Sequence, residues 1–167
     1  VGDAYRLSNA LSPDLQYYRL SVLPSLLDKV HMNIKAGNDE FVLYEIGKGH
    51  SKSALDADGL PKEIEYLDAV YASKKPREGA AYFVMRRYVQ QLCLELGFSV
   101  RFRPVESATD SEAVSVFDPD RSAAIETMDG TYLGVVGELK ISVMKQFKLP
   151  EYTAAMTLEL ESLVRVL

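Results

Sequence analysis

A single cysteine, no tryptophan and no surplus of positive charge restrict this chain before any motif is read. Cys93 on its own cannot close an internal disulfide or supply a cysteine-based metal cluster. Its neighbours Leu92, Leu94 and Leu96 place it in an apolar helical pattern, so it reads as a buried, inert thiol rather than a nucleophile. A net charge of −5 argues against tight, non-specific nucleic-acid binding by the chain as a whole. No apolar run reaches the ~18 residues that a membrane span needs, and no basic, apolar leader opens the sequence. The first residue is Val1 rather than Met, and the chain is expected to be a fragment of a longer cytoplasmic protein. Its 167 residues and 47% hydrophobic content suffice for one domain, 1–167, with a real core.

The elements can be read in order. Ser21 is a good N-cap, Pro24 is tolerated in the first turn, and Leu23, Leu26, Leu27, Val30 and Ile34 recur at helical spacing. Gly37-Asn38 stops that helix. Residues 41–46 alternate too little for a half-exposed strand and read as one buried on both faces. Residues 49–62 are polar and read as a loop, 64–72 as a second strand closed by Lys74-Lys75-Pro76-Arg77. Residues 80–96 form the longest helix, with Phe83, Tyr88 (or Val84), Leu92 and Leu96 on its apolar side and Gly97 as its cap. Residues 98–105 alternate as a half-buried strand ending near Pro104. Arms 122–128 and 131–137 flank the Asp129-Gly130 turn signal. A short helix over 138–148 and a strand over 155–160 finish the chain. The class implied is α+β, a mostly antiparallel sheet flanked by helices.

The isolated chemical signals are weak. His31 lies among Lys29, Met32 and Asn33 on the first helix and reads as a surface or interface histidine rather than a base. His50 stands beside Ser51 and Ser53, but no nucleophile-elbow motif supports a Ser/His arrangement. Asp56 and Asp58 before Gly59 lack the other oxygen ligands of a calcium loop. Gly134 and Gly137 on a hairpin arm do not make a phosphate loop. The basic group Lys74, Lys75, Arg77, Arg86, Arg87, Arg101 and Arg103 is followed by Glu106, Asp110, Glu112, Asp118, Asp120 and Glu126. A solvated charge pattern is the default; a patch near RNA or an acidic partner is the sharper alternative.

Residues 7–47 string together a turn, an arginine, a proline-containing helix and a strand ending in Glu-Ile-Gly. This stretch resembles the core domain of the bacterial phenylalanyl-tRNA synthetase beta subunit, through Asn9, Leu11, Ser12, Arg19, Ser21, Leu23, Pro24, Leu26 and Leu27, then Leu43, Tyr44, Glu45, Ile46 and Gly47. The resemblance continues at Tyr82-Phe83 with Arg86 and Val89, at Asp118-Pro119-Asp120-Arg121-Ser122-Ala123, at Gly134-Val135-Val136-Gly137-Glu138-Leu139 and over residues 155–163. The chain departs from the family pattern at Ala10, Arg87, Gln90, Asp118 and Lys140-Ile141.

The resemblance implies a class II aminoacyl-tRNA synthetase-like core that has lost its catalysis. In an active domain of that kind, one strand-loop-strand supplies an arginine and a carboxylate that hold ATP. A glycine-rich strand and a following helix arginine grip the same nucleotide. Here residues 41–47 take the first position with no arginine beside Glu45, and Thr157-Leu158-Glu159-Leu160 takes the second with no glycine, followed by Arg165. The implied role is architectural: packing on the catalytic alpha subunit, in a heterodimer that pairs into a heterotetramer. ATP and Mg²⁺ belong to the holoenzyme and no cofactor or metal to this part; direct tRNA contact is not expected. Tyr17, Tyr18, Arg19, His31 and Asn33 flank the first helix as an aromatic-plus-Arg cluster and are the expected subunit-interface residues. The alternative is a stand-alone nucleotide-binding or tRNA-binding domain of the same fold.

Overall fold

Helix α1, Leu23–Lys35, begins one residue later than Ser21 alone would place it. Val22 takes the N-cap position because its side chain is fully buried, and Ser21 Oγ accepts the Leu23 N–H instead. The computed structural model describes residues 4–12, 16–75, 78–105 and 115–167, with backbone alone at 51, 53 and 54. Pro76 and Arg77 of the strand-closing segment, and Glu106, Asp110 and Glu112 of the acidic run, lie outside the described residues.

The strands are β1 Glu40–Leu55, β2 Pro61–Ser73, β3 Val100–Pro104, β4 Phe117–Thr127, β5 Tyr132–Leu139 and β6 Tyr152–Glu159. They form one sheet in the order β1-β2-β6-β5-β4-β3, and every adjacent pair is antiparallel. The other helices are α2 Ala81–Glu95, α3 Ile141–Gln146 and α4 Leu160–Val164. The expected α+β class, an antiparallel sheet flanked by helices, is what the chain adopts. Each face of the sheet carries its own apolar cluster. Leu23, Leu27 and Val30 of α1 pack on Val70, Val135 and Ala155, with Val143 and Met144 of α3 beside them. Met85, Val89 and Cys93 of α2 pack on Tyr71, Val136 and Met156 of the opposite face, joined by Leu163 of α4.

Three expectations change. The segment 49–62 is not a loop: β1 runs on to Leu55 and pairs back onto β2, the turn being held by Asp56, whose carboxylate accepts the Asp58 and Leu60 N–H groups. Those bonds also give Asp56 a structural task in place of the faint calcium reading. The buried stripe of α2 is Ala81, Met85, Val89 and Cys93, leaving Phe83 and Tyr88 exposed. Small and flexible side chains let the helix approach the sheet, which the bulkier aromatic stripe would not allow. Strand 41–46 is not buried on both faces. It is an edge strand of the sheet, and one of its faces is open.

Candidate functional site

The centre of the α1 face holds an unusual group of polar side chains. Register places Glu45 of β1 opposite Asp68 of β2, and Asp68 opposite Thr157 of β6. The Thr157 hydroxyl donates to Asp68 Oδ1, while Asp68 Oδ2 is buried with no hydrogen-bond partner among the described residues. Burial is the main cause that lifts the Asp68 carboxyl, against the Thr157 hydrogen bond, from 3.8 to about 6. Burial also raises Glu159, which follows on the same face of β6.

The sign of the resulting pH dependence follows. A carboxyl raised in the folded state stays protonated there while the unfolded chain ionises, so its contribution is complete below about pH 4. It is lost as pH rises through about 6. The expected outcome is a thermal midpoint that falls between pH 4 and 6, by a stability on the order of 3 kcal/mol for a shift of this size. Asp68→Asn should flatten that slope; an unchanged slope in the variant would dismiss Asp68 as its source.

Arg19 closes over this region from the chain preceding α1. Its guanidinium pairs with Glu45 at 2.8 Å and its Nε donates to the Lys48 carbonyl at 3.1 Å. The His50 N–H donates to the Arg19 carbonyl at 3.0 Å, and the 16–18 segment is tied back by bonds between Leu7 and Gln16 and between Tyr5 and Tyr18. Gly47 and Gly49 permit this approach: a Cβ at 47 would overlap the Arg19 guanidinium and one at 49 the Leu20 carbonyl. The surface of β1 above Gly47 and Gly49 is therefore filled by residues 19–20 of this chain. Glu45 does have an arginine beside it in space, but that arginine is committed to Glu45 and Lys48.

The remaining expected interface residues are scattered along the same flank. Tyr17 and Tyr18 are about half exposed, and the Tyr18 ring sits 4.9 Å from His50. His50 Nε2 lies 3.4 Å from Glu63, which Lys48 also binds and holds below its ordinary carboxyl value. His31 is half-buried on α1, and the Asn33 side-chain amide donates to the Lys29 carbonyl. Cys93 is buried, and burial lifts its thiol to about 11, as its apolar neighbours imply. Arg165 is exposed and paired with Glu161. Among the described residues no group of His, Cys, Asp and Glu is placed to hold a metal ion.

On the opposite face β1 presents Val42, Tyr44 and Ile46, which are 37%, 72% and 61% exposed. They continue the row of Tyr71, Ala69 and Leu67 on β2, beyond the cover of α2. Three large apolar side chains in line on an outer strand are a liability in a lone domain and a common mark of an interface. The sequence concealed this row because both faces of residues 41–46 are apolar, so a period of two carries no information there. The in-phase glycines 47 and 49 were the available sign that one face is set apart.

The family model described as the phenylalanyl tRNA synthetase beta chain CLM domain matches residues 2–160. The chain belongs to this family. It is 26% identical over 156 residues to the phenylalanine–tRNA ligase beta subunit of Streptococcus agalactiae, covering 89% of this chain and 19% of that one. It is 28% identical over 147 residues to the Bacillus thuringiensis beta subunit, covering 84% and 17%, and 28% over 144 residues to the chloroplastic one of Phaeodactylum tricornutum, covering 80% and 19%. This CLM domain thus spans about a fifth of the length of the curated relatives it matches. A solved structure of Desulfitobacterium hafniense PylSc, a pyrrolysyl tRNA synthetase, superposes with a TM-score of 0.70 at 14% identity, covering 99% of this chain and 53% of that one. At that identity the likeness establishes the fold, that of class II synthetases, and the CLM domain shares it. Among the described residues no helix is long and apolar enough to cross a membrane.

Proposed function

We propose that this CLM domain is a non-catalytic docking domain, which packs on the catalytic alpha subunit of a cytoplasmic phenylalanine–tRNA ligase and helps assemble its heterotetramer. The observation that carries the reading is the exposed row Val42, Tyr44 and Ile46 on the edge strand β1. The name of the relatives, beta subunit, supplies the partner. Burying such a row against a complementary apolar surface is the ordinary source of subunit affinity. Tyr17 and Tyr18 are exposed on the same edge of the domain and extend the proposed contact, whereas Arg19 holds residues 16–22 on β1.

The ATP and Mg²⁺ of the holoenzyme are placed on the alpha subunit. The residues here do not fit a nucleotide, since Glu45 would oppose phosphate and Arg19 and Leu20 fill the space above Gly47 and Gly49. No step of aminoacyl transfer is assigned to this chain, and tRNA contact is placed elsewhere in the assembly. Mixing the domain with purified alpha subunit, followed by size-exclusion chromatography with light scattering, is expected to give a stable complex. Saturable ATP binding by the domain alone would favour the nucleotide-binding reading instead.

A further inference from the structure

Between the first half of α2, the edge strand β3 and the start of β4 lies a cleft of about 640 Å³, within the range of small-ligand and peptide pockets. Arg86 of α2 forms one wall. Its guanidinium carbon lies over the Phe102 ring, 4.5 Å from the centroid, so its position is set by packing on the ring. Its Nε is buried without a hydrogen-bond partner, and no ion pair satisfies its charge among the described residues. A buried donor left unpaired costs about 1–3 kcal/mol, which the contact with Phe102 offsets only in part.

The surrounding charges are unequal. Arg101 and Arg103 of β3 also line the cleft and share one carboxylate, Glu126, at 3.0 and 2.5 Å. Their ion pairs hold Glu126 below its ordinary carboxyl value. Asp120 is the acid in the lining and Gln90 adds a neutral amide. The cleft is therefore locally positive on a chain whose net charge is −5. Along its rim β3 pairs only with β4, and no second strand lies on its other edge among the described residues.

We infer that this cleft binds an extended acidic peptide segment of a partner protein, laid along the free edge of β3 with a carboxylate on Arg86. A backbone edge recognises an added strand, and a planar guanidinium recognises a carboxylate through paired hydrogen bonds. Phosphate-rich nucleic acid fits less well: it needs several free cations, and here Arg101 and Arg103 are already engaged by Glu126.

The test uses the full-length protein that carries this domain and a fluorescein-labelled peptide of alternating valine and glutamate, titrated by fluorescence anisotropy. Arg86→Gln is expected to weaken binding about tenfold or more, as for loss of a charge-assisted pair. Arg87→Gln, on an exposed neighbour outside the cleft, should leave it unchanged. Arg86→Lys keeps the charge and the stem over Phe102 but loses the fork, so it should bind at an intermediate strength. This variant decides the matter if Arg86→Gln fails to fold. The inference is overturned if the glutamine version of the peptide binds equally well, if the two glutamine variants lose affinity alike, or if single-stranded RNA displaces the peptide at lower concentration. No binding up to about 1 mM, the weak end of specific recognition, overturns it too.

Discussion

Gly134→Ala is expected to remove most of the stability of the domain. Gly134 lies in β5 at φ +153°, between β4 and β6 in the middle of the sheet. A Cβ there would overlap the Thr157 carbonyl and crowd the Leu158 Cα of β6. Both obstacles are backbone, so no rotamer change relieves them, and the paired strands must separate where Gly134 meets Leu158 and Val135 meets Thr157. Backbone strain of about 1–3 kcal/mol and overpacking of about 1–3 kcal/mol together approach the whole stability of a marginal domain. The control is Gly37→Ala at the end of α1, where φ is +94° but nothing stands within 4 Å, so only the conformational cost remains. Urea denaturation should show a much lower midpoint for the first variant than for the second. Equal midpoints would mean that β5 and β6 relax apart freely and that the close approach is unimportant.

The second large effect concerns association. Replacing Tyr44 and Ile46 together by aspartate should weaken binding to the alpha subunit about 100-fold or more, the loss typical of central apolar anchors. Their exposure in the free domain means that its own stability should change by only about 0.5 kcal/mol. Light scattering of the mixed subunits reads the first quantity and thermal unfolding of the free domain the second. A variant that still assembles with undiminished affinity would move the docking face away from β1, towards Tyr17 and Tyr18. Lower affinity accompanied by a collapsed melting temperature would instead give the row a folding role.

The two effects come from different layers of information. Gly134 and Gly137 are visible in the sequence as a pair on a hairpin arm, but their reason is not local. Gly134 meets β6, and Gly137 meets Ser122 of β4. The Asp129-Gly130 turn and its two arms, the apolar stripe of α1 and the Gly97 stop of α2 were all legible, since each depends on neighbours within a few residues. The stripe of α2 was misread because Phe83 and Tyr88 are as apolar as Met85 and Val89. Only the distance to the sheet favours the smaller set.

Family membership was also legible, because it rests on an ordered series of short patterns spread along the chain, and the match over residues 2–160 bears it out. Site geometry was not. Asp68 is the third acid of β2, after Glu63 and Glu65, and nothing local marks it as the buried one; its partner Thr157 is 89 positions away, brought to it by the β2–β6 register. Arg19 meets Glu45 only because glycines 47 and 49 let the preceding segment descend onto β1. Local spacing thus determined which segments became helix, strand and turn, and to which family they belong. The order of strands in the sheet decided which face of β1 is open, which arginine lies over the Phe102 ring and which carboxyl is buried, because those depend on contacts between residues far apart in the chain.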